Sequence, residues 1–304
     1  MQECNGAIED AYDAWPRLRR LHRLISLSVG FQFRLADALV VVTPALAGYV
    51  TATTGRRGGF HVVGNGADVD RFHPVALSEK SIGRPYVAFA GALASWQGID
   101  TILDAIRSTA WPSGVDLVIA GDGRERTRVQ KAARTDRRIR WLGTIPYRDS
   151  AVLMSGSLAA LIPKADGPSA RFGLSPLKFY EAMACGVPVL VSDLPGLGDI
   201  VRAHQCGLTF PAGNAEALAR AVAEIVRDPI QASEMGSRGR AAAVSLYSWD
   251  ARAGQTERVL LKVAGGRVDG REPQDPLDEA SGKVESATEQ EETLATRAGA
   301  ATKD

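Results

Sequence analysis

The sequence predicts an α/β protein whose larger part is a doubly wound, Rossmann-like domain. From residue 84 onward, short apolar runs alternate with longer amphipathic ones. This is the rhythm of repeated βα units around a parallel sheet. The runs read as buried strands, and the one over Val115–Gly121 ends on the sharp-turn triplet GDG. The composition, 45% hydrophobic and 23% charged over 304 residues, is that of a globular chain long enough for two domains or for one and a remnant.

Taken in order, a helical region spans residues 6–35 and an apolar strand Ala38–Thr43 (ALVVVT) follows. After a further helix, a second strand, Phe60–Gly64, ends in NG. Two strands are too few for an independent α/β domain of ordinary size. Tyr86–Gly91 (YVAFAG) opens the second region as a strand, and Gly98–Arg107 is helical. Val115–Gly121 and a charged helix over Arg124–Arg134 repeat the unit. Ile139–Gly143, Leu158–Pro163 and Val187–Ser192 bring the predicted strands of this domain to five, each leading through a turn into a helix. Asn214 caps a helix, AEALARAVAEIVRD, that Pro229 ends. The division is 1–83, a partial N-terminal domain; 84–246, a complete domain; 247–264, a closing helix; and 265–304, an acidic tail expected to be disordered for want of aromatics and apolar period.

Charge narrows the partners. The net +1 is a cancellation: residues 265–304 hold five basic and ten acidic groups, leaving 31 basic and 25 acidic groups, or +6, on the rest. A mildly basic body suits an anionic ligand and excludes a nucleic-acid footprint, since no Arg-rich stretch is interleaved with aromatics. The 29 Arg against seven Lys reads as codon bias. Cys4, Cys185 and Cys206 have neither the even count of a disulfide framework nor metal spacing. With a polar, acidic start and no apolar run of spanning length, the expectation is a cytoplasmic protein.

Chemistry concentrates in Phe172–Ser192, FGLSPLKFYEAMACGVPVLVS, a loop that enters a helix and then a buried strand. Pro176 suits the helix's first turn, whose free N–H groups and dipole face an anion. Lys178 sits in that turn and neutralises a diphosphate as a point charge. Glu181, three residues on, can accept hydrogen bonds from ribose hydroxyls. The other reading is a solvated Lys178–Glu181 ion pair on a helix surface.

SPLKFYEAMACGVPVLVSD resembles the donor-binding segment of family 4 glycosyltransferases, retaining enzymes of the GT-B fold. The likeness runs from about residue 1 to 264 through AFAGALASWQGIDTILDAI, IAGDGRER, IRWLGTIPYRD, CGLTFPAGNAEALARAVAEIV and YSWDARAGQTERVL, with HVVGNGADVDRFHP before the linker. The resemblance implies a GT-B protein with one complete Rossmann-like C-terminal domain and a partial N-terminal one. Lys178 and the N–H groups along the stretch from Ser175 through Pro176 to Leu177 would hold the donor pyrophosphate. Glu181 would hold the ribose and the main chain near Thr144 and Ile145 the base. Gly91 would admit the sugar nucleotide closely, and Gln97 joins the donor-side residues. It further implies metal-independent transfer of a hexose, with retention, from a UDP- or GDP-sugar to a glycan, lipid or small-molecule acceptor, with no cofactor beyond the nucleotide sugar as co-substrate. No catalytic residue is assigned.

The sequence departs from that pattern in three places. Gly173 stands eight residues before Glu181, where many members have a glutamate. Ala92 and Gln97 stand where members often have Arg and Lys, which leaves more weight on Lys178. About 83 residues precede the linker, and MQECNG resembles an internal segment of longer relatives, the expectation being an N-terminally truncated member. The alternative function is therefore an inactive remnant that keeps a nucleotide-sugar-binding domain or works with a partner chain. A sugar-nucleotide epimerase fits the SPLK loop less well.

In residues 17–35, Leu18, Leu21, Leu24, Ile25 and Val29 oppose Arg19, Arg20 and Arg23. The expected role of that stripe is to cover the sheet, with contact to an anionic membrane surface as the alternative. Trp96 reads as a packed loop aromatic, and Cys185 as a small core residue at a helix end.

Overall fold

The structure, a computed structural model, describes residues 1–8, 12, 15–75, 83–167 and 170–265. The tail expected to be disordered lies outside the described residues apart from Gly265. The chain forms two compact units: Met1–Gly64 with the chain from Gln255, and Asn65–Gly254.

In the first unit, strands Gln2–Cys4 (β1), Leu39–Val41 (β2) and Phe60–Val62 (β3) form a parallel sheet in the order β1-β2-β3. The sequence predicts two strands here; the third is Gln2–Cys4, three residues long and polar at two of them, too short to carry a period. A 3-10 turn, Pro16–Leu21, leads into helix His22–Leu35 (α1), and Pro44–Thr54 (α2) follows β2. Thr43 caps α2 by accepting the Leu46 N–H at 3.2 Å, and Pro44 occupies the first helical position. A small core joins Ala38, Val40, Val63 and Val259.

The expected sheet-covering stripe is corrected by α1. Leu18, Ile25 and Val29 are half-buried, but Leu21 and Leu24 are exposed together with Leu27, Phe31 and Leu35. The buried position of the helix is Gly30, where a Cβ would lie 3.8 Å from the Thr54 methyl of α2. A glycine brings the two helices together on that side, so the larger apolar side chains turn outward.

The second unit contains strands Tyr86–Ala90 (β4), Asp116–Ala120 (β5), Ile139–Trp141 (β6), Ala160–Ile162 (β7), Val189–Ser192 (β8) and Gly207–Phe210 (β9). They form one parallel sheet in the order β6-β5-β4-β7-β8-β9. The expected five strands become six, because GLTF pairs with β8 from Val189↔Gly207 to Ser192↔Phe210. Helices Ile99–Ala105 (α3), Arg126–Thr135 (α4), Tyr147–Ser155 (α5), Leu177–Ala184 (α6) and Leu197–His204 (α7) connect the strands. Ala215–Arg227 (α8), Pro229–Ser245 (α9) and Trp249–Val263 (α10) follow.

Asn214 caps α8 as expected, accepting the Ala217 N–H at 2.9 Å. Pro229 is less a terminator than a start: Asp228 accepts the Gln231 N–H at 2.9 Å and Pro229 opens α9, a helix the sequence reading lacked. Val87, Phe89, Leu117, Ile119, Leu161 and Leu190 pack with Ile99 and Ile102 of α3 and Leu218 and Val222 of α8. Each such buried side chain contributes about 1.5–3 kcal/mol.

Chain order makes this sheet a doubly wound one: β4, β5 and β6 build outward in one direction, then the chain crosses back to place β7 on the other side of β4. The reversal lies between β4 and β7. In open α/β sheets the crevice outside the carboxyl ends of the strands at such a reversal is where ligands bind.

Candidate nucleotide-diphosphate site

The loops at the carboxyl ends of β4 and β7 meet at this reversal. After β4 come Gly91 and a short 3-10 turn, Ser95–Gln97, closed by Gly98 at φ +64°. A Cβ at Gly98 would lie 2.7 Å from the Pro163 carbonyl oxygen, so only glycine lets this loop seat against the segment leaving β7. The Trp96 carbonyl accepts the Ala165 N–H at 3.1 Å and fixes the same junction. The packed-aromatic reading of Trp96 is corrected here: its side chain is exposed, and its main chain does the holding. Gly121, after β5, is held equally close. A Cβ there would be 1.9 Å from the Gly91 carbonyl oxygen, at φ +133°.

Lys178, in the first turn of α6, reaches into this junction. Its Nζ donates to the Gln97 Oε1 at 2.8 Å and stands 4.0 Å from the Phe89 ring centroid. The Gly91 backbone passes alongside, a Cβ there lying 3.5 Å from Nζ. The side chain is only 9% exposed. Among the described residues no carboxylate lies within ion-pair distance of it. Burial, and next the charge of Lys164, push the ammonium well below the ordinary lysine range, with Glu181 opposing.

The solvated ion pair considered from sequence is corrected. Lys178 and Glu181 are both buried, and the Glu181 carboxylate accepts a 2.6 Å hydrogen bond from the Tyr147 hydroxyl. Burial raises the Glu181 carboxyl, while the Tyr147 bond and Lys178 pull it down. Burial and this same hydrogen bond raise the Tyr147 phenol. Tyr147 packs edge-on against Phe72 at 5.2 Å and lies beneath Arg71 at 5.3 Å.

The structure therefore gathers Gly91, Gln97 and Lys178 in one cluster, with Glu181 one turn further along α6. Thr144, exposed, and Ile145, half-buried, lie in the β6–α5 loop, which Tyr147 ties to Glu181. Ser175, Pro176 and Leu177 form the entry to α6. Pro176 is the N-cap rather than a first-turn residue and has no N–H, so Leu177 and Lys178 supply the helix's leading donors. Ser175 is anchored elsewhere: its hydroxyl accepts the Asn65 N–H at 2.9 Å and its carbonyl accepts the Asn65 Nδ2 at 2.6 Å. Cys185 is a buried core residue at the end of α6, as expected.

Sequence reasoning missed Phe89, Asn65, Tyr147 and Lys164. The clue for Tyr147 was its place just beyond IRWLGTIP. Lys164 had a plainer one, a cation directly after the apolar strand LAALIP. It is 8% exposed, and desolvation lowers its ammonium to about 8. Chemically, two buried lysines and the start of a helix dipole gather positive charge suited to an anion at one end of the sheet. An apolar cavity of about 650 Å³ lies at the opposite, amino end of the strands among Pro85, Pro112, Val187 and Pro188.

The family described as glycosyl transferases group 1 matches residues 76–242. A glycogen synthase of Mycobacterium tuberculosis is 28% identical over 264 residues, covering 85% of this chain and 60% of its own length. A GDP-mannose-dependent monoacylated alpha-(1-6)-phosphatidylinositol monomannoside mannosyltransferase of Corynebacterium glutamicum is 27% identical over 213 residues, covering 66% and 56%. The chain thus spans about three-fifths of the length of these relatives. Among solved structures, Anabaena Alr3699/HepE in complex with UDP aligns with a TM-score of 0.63 at 19% identity, covering 76% of this chain and 65% of that one.

Lys164 holds its proton less tightly in the folded chain than in the unfolded one, so between about pH 8 and 10.5 the unfolded chain binds more protons and stability rises with pH. Lys164→Met removes the group. Its melting temperature is expected to exceed that of the wild type below pH 8, and the gap to narrow toward pH 10. Melting curves of both proteins across that range check this, and a gap independent of pH would refute it.

Proposed function

The chain belongs to the group 1 glycosyl transferases, whose family model spans more than half of it, and from that membership we propose that it is a hexosyltransferase using a UDP- or GDP-sugar. The observation that carries this is Lys178, an ammonium buried at the strand-order reversal with an amide and an aromatic ring as its partners. A buried cation without a carboxylate is costly unless an anion joins it. The diphosphate of a sugar nucleotide is such an anion, and UDP is the ligand bound in the Anabaena Alr3699/HepE structure.

In this reading Lys178 and the leading N–H groups of α6 hold the diphosphate. The Glu181 carboxylate, steadied by Tyr147, receives the ribose hydroxyls, and the main chain at Thr144 and Ile145 meets the base. Transfer breaks the bond between the anomeric carbon and the diphosphate oxygen, and the electron pair leaves with the nucleotide. The acceptor oxygen, of a glycan, lipid or small molecule, forms the new bond and gives up its proton to the departing diphosphate. Fixed positive charge that grows more favourable as the leaving group gains charge lowers the barrier without a metal. Retention of anomeric configuration belongs to the same proposal and rests on the resemblance to family 4 enzymes.

We also propose that residues 17–35 touch an anionic membrane surface. Leu21, Leu24, Leu27, Phe31 and Leu35 form an exposed stripe at helical spacing, with Arg20, Arg23 and Arg34 exposed on the same helical segment. Among the described residues no helix is long and apolar enough to cross a membrane.

Titration calorimetry tests the donor site. The wild type is expected to bind UDP or GDP at sub-millimolar concentration, and Lys178→Met to weaken binding about 10- to 100-fold, the loss of a charge-assisted contact. If neither nucleotide binds the wild type at millimolar concentration, the reading fails. Binding without transfer to any acceptor would instead support a donor-binding unit that works with a partner chain.

The membrane contact is checked by sedimentation with phosphatidylglycerol and phosphatidylcholine vesicles. The wild type is expected to pellet with the anionic vesicles, and Leu24→Glu/Phe31→Glu to stay in solution. Equal recovery of both proteins with both lipids would contradict it.

A further inference from the structure

We propose that Lys164 is a second ammonium of the diphosphate site, delivered across the strand-order reversal by the loop that leaves β7. This rests on the donor-site reading above and adds to it a residue from a different segment.

The position is built with care. The Lys164 N–H donates to the Ser192 Oγ at 2.9 Å, and the Ser192 hydroxyl returns a 2.9 Å hydrogen bond to the Lys164 carbonyl. Ser192, at the end of β8, is fully buried. One side chain thus fixes both polar groups of the Lys164 main chain. The residue before it, Pro163, is seated on Gly98, and the residue after it, Ala165, is bonded to the Trp96 carbonyl. Gln97, between those two contacts, is the residue that accepts from Lys178. The two lysines are therefore held by one continuous junction, and the side chain of each is more than nine-tenths buried.

No ion pair among the described residues rewards that arrangement. Neither ammonium has a carboxylate within ion-pair distance among the described residues, and like charges that are both buried repel. An apolar side chain of similar length in place of Lys164 would be the more stable choice. The chain carries 29 Arg and seven Lys, so a buried pair of lysines at one sheet end is not explained by its compositional bias. A lysine ammonium is a compact point charge, whereas guanidinium needs room for its planar fork. The diphosphate ester of a sugar nucleotide carries two negative charges, and two ammoniums balance them.

The test is calorimetry of Lys164→Met and Lys164→Gln with UDP, GDP and the uncharged nucleosides uridine and guanosine, beside wild type and Lys178→Met, with a thermal melt of each variant. Both Lys164 variants are expected to melt at or above the wild-type temperature near neutral pH. They should bind the preferred diphosphate about 10-fold or more weakly, while binding of the matching nucleoside is unchanged. If Lys178→Met weakens diphosphate binding and neither Lys164 variant does, the inference is overturned and the donor-site reading stands. If the wild type binds no diphosphate, both fall together. An equal loss for diphosphate and nucleoside would mark Lys164 as a structural residue and overturn the inference as well.

Discussion

The structure around the site depends on one constraint: an ammonium group, Lys178 Nζ, is kept out of water with an amide oxygen and a ring face for company. Burying a charge this way is unfavourable, so the surroundings must hold it in place. They do so through backbone. Gly91, Gly98 and Gly121 let strand ends approach one another more closely than a side chain would permit. Ser192 and the Trp96 carbonyl lock the β7 exit, and α6 starts at Leu177 so that Lys178 falls in its first turn. The result is a preorganised pair of buried lysines at the strand-order reversal.

A short chain of contacts leads away from that centre. Along α6, Glu181 faces the Tyr147 hydroxyl, and Tyr147 connects the helix to the loop after β6. At the entry to α6, Asn65 takes both the hydroxyl and the carbonyl of Ser175. Residues distant in sequence thus set the angle at which α6 presents its first turn. The fold supplies rigidity there and polarity at the tip, the division of labour expected of a ligand site on an α/β scaffold.

Much of this was legible in the sequence. The βα rhythm gave the doubly wound sheet, Asn214 announced its helix, and SPLKFYE placed a lysine and a glutamate on one helix start. What escaped has physical reasons. Gln2–Cys4 and Gly207–Phe210 are strands of three and four residues, too short to establish a period, and their pairing is decided by neighbours remote in sequence. The stripe in residues 17–35 is apolar at helical spacing, but spacing does not say which side a helix packs; Gly30 decided that. Lys164 follows an apolar strand in the sequence, but its burial is a property of the loops that converge on it. The role of Tyr147 likewise depends on a partner 34 residues away.

The central claim is that two buried lysines receive the diphosphate. With only seven lysines in the chain, 15N-lysine labelling resolves their side-chain nitrogens by NMR. On titration with UDP or GDP, whichever the protein binds, the account predicts that the Nζ signals of Lys164 and Lys178, assigned with the Met variants, both move while those of the exposed Lys131 and Lys262 stay in place. Saturable binding that leaves those two signals unchanged would contradict it.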